Sequence, residues 1–241
     1  MSPEPATGAA TTPRNVTSVV IFGATGMIGQ GVLRECLLDA GIKHVLTIGR
    51  SATGQRDPKL TERVVADLTK LDAIAPDLAN VDACFYCLGV SAVGMPEDAY
   101  RKVTYDLGVG VARALVAVNP RLTFVFVSGG GADANAAQMW ARVKGETENA
   151  IRGLPFAGVF AFRPFFIQPL YGVTARTTRY RVFYGMFAPL FPLLRALSPS
   201  YVTDTHRIGL AMLRVVRSGA PNWIVTTRDI NTLAAGARLE A

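Results

Sequence analysis

The sequence predicts an α/β protein: a doubly wound parallel sheet with helices on both faces. Three observations carry this prediction. Short β-branched runs alternate with longer helical patterns, as parallel strands joined by crossover helices do. Several of those runs stop at a Gly or Ser, where such a sheet carries its ligand loops. The first run leads directly into Gly23-Ala24-Thr25-Gly26-Met27-Ile28-Gly29.

The elements follow in order. Val16–Phe22 is a short β-branched strand that breaks at Gly23. Ile28, Val32, Cys36 and Ala40 recur every four residues, with Leu33 and Leu37 beside them. That is a helical stripe, and Gly41 ends it. His44–Ile48 is a second strand, Arg63–Ala66 a third and Ala83–Leu88 a fourth, stopping at Gly89. Asp98–Val118 is a long helical pattern before Pro120. Leu122–Val127 is a fifth strand that meets Ser128 and Gly129, Met139–Arg152 is helical, and Phe156–Phe162 is a sixth strand closed by Arg163-Pro164. Beyond it, Phe165–Pro199 is aromatic, Pro-rich and irregular. Thr203–Arg217 is helical, with Ile208, Met212, Val215 and Val216 on its apolar face. Trp223–Thr226 reads as a further strand, and Asp229 can cap a last helix. The organisation expected is a tail over 1–15, a nucleotide-binding core over 16–164 and a substrate-covering annex over 165–241, packed as one structural domain.

Composition narrows the class. The chain has 241 residues, 50% hydrophobic and 18% charged. That excludes disorder and low-complexity fibres. Three Cys (Cys36, Cys84 and Cys87) exclude a disulfide-framed module and fit a reducing compartment. Cys84 and Cys87 make a C-x-x-C without further ligands at zinc spacing, so they read as small core residues and no metal is expected. The first fifteen residues lack the charged and apolar regions of a secretory signal. The longest uncharged apolar stretch, Val182–Leu194, is 13 residues and holds Pro189 and Pro192. A membrane-spanning helix needs about 20 apolar residues, so a cytoplasmic protein is expected. Lys and Arg exceed Asp and Glu by 25 to 18. Most of the excess lies in Thr174–Arg217, which holds seven Arg, no Lys and Asp204 as its single acid. Without a nucleic-acid motif, that charge points to an anionic cofactor, an anionic substrate or an acidic surface rather than to nucleic acid. The aromatic-aliphatic run from Phe183 to Leu194 reads as core, as a lipid-like substrate pocket or as a membrane-surface contact.

The glycine loop specifies a ligand. Gly23 allows a tight turn, Gly26 lets the backbone approach a pyrophosphate, and Gly29 lets the helix pack close to the strand. The helix start, with Thr25, Met27 and Ile28, offers N–H groups and a positive dipole end to phosphates. The reading is dinucleotide binding. An acidic residue at the end of the second strand would bind the ribose 2′-hydroxyl of NAD. The chain instead has Thr47-Ile48-Gly49-Arg50. A guanidinium there pairs with a 2′-phosphate, so NADP(H) is expected over NAD(H), unless Arg50 is only a solvated surface residue.

Taken together, the glycine loop, Ile48-Gly49-Arg50, Cys87-Leu88-Gly89, Gly131-Ala132-Asp133, Val143-Lys144-Gly145-Glu146 and Phe162-Arg163-Pro164 resemble an atypical or extended member of the short-chain dehydrogenase/reductase superfamily. The likeness is to the Tat-interacting-protein oxidoreductases and their bacterial relatives, over roughly Val16 to Ala235. It implies a Rossmann core that binds NADP(H). It also implies that Asp67 and Leu68 meet the adenine, that Gly89 passes the ribose and diphosphate, and that Arg163-Pro164 forms the turn beside the nicotinamide.

The superfamily's chemistry uses a Ser and a Tyr-x-x-x-Lys, the Tyr exchanging a proton while hydride moves. Residues four apart share a helix face, and a nearby cation favours the phenolate. Here Trp140 stands at the Tyr position and Lys144 at the Lys position. An indole N–H donates a hydrogen bond but is no acid or base near neutral pH. Ser128 is the counterpart of the substrate-binding Ser, or else caps the strand end; Lys144 reaches the cofactor ribose, or else is a solvated helix residue. Tyr171 is the candidate for a replacement acid. Tyr86 reads as core, Tyr100 and Tyr105 as packing, His44 as structural and His206 as solvated. The reading is an NADP(H)-binding oxidoreductase acting on a carbonyl or alcohol in a small-molecule substrate, apolar or anionic. Its rivals are a non-catalytic dinucleotide-binding regulator and, more weakly, a lipid-handling protein.

Overall fold

The structure, a computed structural model, describes residues 14–68, 70–173, 198 and 200–237. Nearly all of the expected tail and the run from Thr174 to Leu197, which holds the whole aromatic-aliphatic run from Phe183 to Leu194 and four of the annex arginines, lie outside the described residues.

Seven strands form one parallel sheet in the order β3-β2-β1-β4-β5-β6-β9. They are β1 (Ser18–Phe22), β2 (His44–Gly49), β3 (Leu60–Val64), β4 (Ala83–Tyr86), β5 (Thr123–Val127), β6 (Gly158–Arg163) and β9 (Ile224–Thr226). The order reverses between β1 and β4, so the ends of those strands diverge and leave a crevice. Side chains alternate between faces, and both faces are dry. Val19, Ile21, Phe85, Val125 and Phe162 face a core closed by α1 (Met27–Leu38), α6 (Thr205–Ser218) and α7 (Thr227–Ala237). Val20, Phe22, Tyr86, Phe124 and Phe126 face a core closed by α2 (Ala75–Leu78), α4 (Leu107–Val118) and α5 (Met139–Arg152). Strands covered on both sides have to be apolar throughout, hence their near-continuous hydrophobic runs. Cys84 lies in the second core and Cys87 packs against the first, as expected of small residues on opposite faces.

Several boundaries differ from the sequence reading, each for a local reason. β3 begins three residues early because Val45 pairs with Leu60 and Gly49 with Val64, which sets its register. The long helical pattern is three pieces: α3 (Glu97–Arg101), a wider π turn over Lys102–Asp106, and α4. The π turn rephases the helix so that Tyr100 and Thr104 are both buried. A small second sheet pairs β7 (Phe166–Gln168) with β8 (Val202–Asp204) in parallel. β8 takes the residues expected to open α6, and the helix starts at Thr205 because Asp204 Oδ1 accepts the Arg207 N–H at 2.8 Å. Asp229 lies inside α7 rather than before it. Its Oδ2 accepts the Thr226 N–H at 2.9 Å, which closes a capping box from the third helical position.

The C-terminal segment is part of the sheet: β9 pairs in parallel with β6 through Ala161–Ile224, Phe162–Val225 and Arg163–Thr226. α6 crosses α1 where both are glycine. A methyl at Gly31 would lie 2.6 Å from Thr205 Cβ, and one at Gly209 would lie 2.6 Å from Glu35 Cγ.

Candidate active site

The glycine loop has the geometry that its spacing requires. Gly23 has φ +80°, and a Cβ there would lie 2.9 Å from the backbone of Cys87 and Leu88. A Cβ at Gly29 would lie 2.1 Å from the Gly23 carbonyl oxygen, so α1 can approach β1 only through a glycine. At Gly26 the nearest obstacle is that same oxygen, at 3.3 Å. Gly26 is the N-cap residue of α1, and no side chain caps the helix. The N–H groups of Met27 and Ile28 therefore open the helix without a side-chain acceptor. A diphosphate fits this uncapped, glycine-walled end.

Around the loop, Gly89 is exposed, and a Cβ there would meet nothing within 4 Å. Arg50 is exposed at the end of β2. Asp67 is exposed, and its carbonyl accepts the Lys70 N–H at 3.2 Å; Leu68 is buried in the second core. A cleft of about 710 Å³ runs from Thr25 along Gln30 and Arg34 of α1, facing Ser51 and Arg56 after β2 and bounded by Tyr171.

The second half of the site gathers at the end of β5. Ser128 N–H donates to the Phe162 carbonyl (2.8 Å) and Gly130 N–H to the Pro164 carbonyl (2.9 Å). These bonds lay the Gly129-Gly130-Gly131 loop against the Arg163-Pro164 turn. Ser128 is buried, and its Oγ has no hydrogen-bond partner among the described residues. A buried hydroxyl left without a partner at a strand end is a candidate for a ligand oxygen. Lys144 approaches from α5, and its Nζ donates to the Ser128 carbonyl at 2.9 Å. Burial pulls the Lys144 ammonium down to about 8, while the Glu148 carboxylate one turn on works against that shift. Trp140, one turn before, is half-buried; its indole lies 3.4 Å from where a Cβ at Gly131 would stand and 3.8 Å from one at Gly129. Three glycines in a row leave room for that ring.

The structure thus brings Ser128, Trp140, Lys144 and Pro164 together. It separates Tyr171 from them. Tyr171, at φ +56°, is 61% exposed, with the Arg34 guanidinium 3.9 Å over its ring and His206 edge-on at 5.8 Å, on the α1–α6 side. His206 is not solvated as expected. Its Nδ1 lies 3.0 Å from the buried Glu35 carboxylate, because the first turn of α6 faces α1. Tyr86 is core, and burial raises its phenol well above the ordinary range.

Arg163 has a partner the sequence did not reveal. Its Nε and one terminal nitrogen hold Glu148, whose side chain is 1% exposed, at 3.0 and 2.5 Å. Glu148 follows Lys144 by four residues and so shares its helix face; that spacing was the available signal. Phe165 was also missed. Its ring lies against Gly130, where a Cβ would come within 2.3 Å of Cδ2, and it meets Tyr201 edge-on at 5.6 Å.

The model of a family described as NAD dependent epimerase/dehydratase matches residues 19–139, half of the chain, from β1 to the start of α5. The chain belongs to the NAD dependent epimerase/dehydratase family. Within it, the chain is 28% identical over 156 residues to the mitochondrial protein fmp52 of Emericella nidulans, covering 62% of this chain and 66% of that protein. It is 31% identical over 149 residues to the protein HTATIP2 of Rattus norvegicus, covering 61% of each. The chain thus spans just under two thirds of the length of these curated relatives. Among solved structures, the Bordetella bronchiseptica enzyme WbmF in complex with NAD+ superposes with a TM-score of 0.64 at 14% identity, over 93% of this chain and 78% of that one. A short-chain dehydrogenase/reductase superfamily protein from Agrobacterium tumefaciens with bound NAD gives 0.60 at 15%, over 92% and 97%. At such identities these two neighbours establish the fold of this epimerase/dehydratase family member and nothing finer. The expectation of a cytoplasmic protein is overturned: the fmp52 relatives carry a mitochondrial location in their names. Among the described residues, no helix is long and apolar enough to cross a membrane.

Proposed function

We propose that the protein is an NADP(H)-dependent oxidoreductase that moves a hydride between the nicotinamide and a carbonyl or alcohol of a small-molecule substrate. The observation that carries this reading is the buried, unpartnered Ser128 Oγ with the Lys144 ammonium fixed on the same residue's carbonyl. The chain's own groups divide the work. The α1 N–H groups and the glycine loop hold the diphosphate, and Arg50 meets the 2′-phosphate. Ser128 donates its hydroxyl proton in a hydrogen bond to the substrate oxygen and so fixes the reacting carbon. Trp140 and Phe165 wall the crevice and exclude water. A bound nicotinamide supplies or accepts the hydride, which is the chemistry the protein itself lacks.

The test is a pair of titrations on a Trp223→Phe variant, in which Trp140 is the remaining indole. Trp223 lies under the Arg152 guanidinium at 4.9 Å, at the opposite end of α5 from Trp140, so its removal should leave the site intact. NADPH is expected to change the emission and to bind more tightly than NADH. One charge-assisted pair is worth about 1.5 kcal/mol or more, roughly ten-fold in affinity. An Arg50→Ala variant should lose about that factor for NADPH and none for NADH. Equal binding of the two cofactors sinks the Arg50 assignment. Trp140 at the family's Tyr position favours a second reading, a dinucleotide-binding regulator; NADPH binding without oxidation across a broad carbonyl panel would select it.

A further inference from the structure

We propose that Lys144 is the residue that passes the proton to and from the substrate oxygen, in place of the Tyr that this chain lacks. The inference rests on the oxidoreductase reading above. The family arrangement needs an acid one helical turn before the Lys, and Trp140 occupies that turn with a group that cannot ionise near neutral pH. Four of the five described phenols are badly sited: Tyr171 is stacked beneath Arg34 on the α1 side, Tyr86 is sealed in β4, Tyr100 is buried in α3, and Tyr105 lies under the Arg101 guanidinium at 4.3 Å. The fifth, Tyr201, is exposed and meets Phe165 edge-on at 5.6 Å, with no hydrogen bond to Ser128 or Lys144. Lys144 reaches the end of β5, where the Ser128 hydroxyl is buried without a hydrogen-bond partner among the described residues. Its stem runs beneath Gly129, with Cδ and the Trp140 ring each 3.8 Å from where a Cβ there would stand. One ammonium proton is held by the Ser128 carbonyl, and two remain for a ligand.

The step balances. As hydride reaches the carbonyl carbon, the π pair moves to oxygen, the O–H bond forms and an Nζ–H bond of Lys144 breaks. The carbonyl is reduced and the dihydronicotinamide oxidised. The neutral amine regains its proton from water, and the reverse sequence oxidises an alcohol. The ammonium titrates at about 8, which suits an acid that must also be a base near neutrality. The charged groups around it are few. Glu148 is one turn on and closed by Arg163. The Glu97–Arg142 and Arg101–Glu146 pairs tie α5 to α3.

The test uses the full chain and a Lys144→Arg variant. Arg keeps the charge and the hydrogen bonds but does not release a proton in this range. NADPH affinity of the variant is read by Trp140 emission in the Trp223→Phe background, so that turnover is compared at saturating cofactor. Turnover should fall by roughly 10²–10⁴-fold, the usual worth of a general acid. The wild-type rate of carbonyl reduction should decline above pH 8, and that limb should vanish in the variant. A readout independent of turnover is ¹³C-methylation of the five lysines. The resonance missing from the variant should titrate near 8. Lys144→Arg turnover close to wild type, or a Lys144 resonance titrating at the ordinary 10.5, overturns the proposal while leaving the oxidoreductase reading in place. Absence of NADPH binding, or binding without turnover in the wild-type chain, overturns both.

Discussion

Single atoms decide the cofactor loop. Gly29 and Gly89 look alike in the sequence, yet the space around them differs. A methyl at Gly29 collides with the Gly23 carbonyl at 2.1 Å, and one at Gly89 meets nothing within 4 Å. Gly29→Ala should therefore destabilise the fold by roughly 1–3 kcal/mol, as overpacking does, and abolish dinucleotide binding with it. Calorimetry and the NADPH titration should move together. Gly89→Ala should leave the melting temperature unchanged, so any loss of affinity there reports direct contact with the cofactor. Undiminished NADPH binding by Gly89→Ala would remove that residue from the site. Ser128 makes the same point. Its type and place were legible as a strand-end hydroxyl, but its lack of a partner depends on neighbours from β6 and α5 that no local pattern names.

Between elements, ion pairs set the geometry. Arg163 at the end of β6 and Glu148 on α5 form a two-pronged pair whose carboxylate is almost wholly buried. Removing one partner of such a pair strands the other's charge and costs about 3–5 kcal/mol. Arg163→Met should lower stability by an amount near the bottom of that range, because the guanidinium keeps some contact with water. Adding Glu148→Leu should recover most of the loss, since an apolar replacement of both charges is often neutral. Urea unfolding of the two single variants and the double variant measures the coupling. An Arg163→Met chain as stable as wild type would mean that Glu148 finds water instead. The Arg163-Pro164 turn was legible as the end of a strand; the use of Arg163 to hold α5, and with it Lys144, was not. The π turn between α3 and α4 was equally hidden, because a continuous helical pattern carries no mark of a rephasing residue.

At the scale of the whole molecule, the segment after Pro164 finishes the sheet rather than merely covering it. β9 lengthens the sheet at β6, and α6 packs on α1 across the Gly31–Gly209 crossing. Arg217 of α6 clasps Asp39 at the end of α1 at 2.7 Å, joining residues 178 apart in sequence. Burial alone would raise the Asp39 carboxyl. Arg217 and the N–H groups of Ile42 and Gly41 outweigh it and hold the group below its ordinary 3.8. The contribution of this clasp is therefore complete above the ordinary carboxylate value and is lost as pH falls through the lowered one. The fall in melting temperature from pH 6 to about pH 3 should be smaller in Asp39→Asn than in wild type, by the share this group supplies. Identical falls would show that the clasp contributes nothing. The basic excess also changes meaning at this scale. Arg207 lies 3.5 Å from Asp204, Arg214 packs at Gly236, and Arg217 holds Asp39, so three of the seven annex arginines are spent inside the fold.

The sequence by itself determined the fold class, most of the strands of the sheet and the glycine loop that follows the first of them. Each of these depends on local rules: a period of two or 3.6, a glycine where no Cβ fits, an uncapped helix start after a strand. Only the tertiary structure decided that the Ser128 hydroxyl finds no partner among the described residues, which arginine is committed to a buried carboxylate, and that Tyr171 and His206 lie together on the α1–α6 face. Those facts depend on which strand ends meet in space, and burial and pairing are properties of neighbours brought from distant parts of the chain.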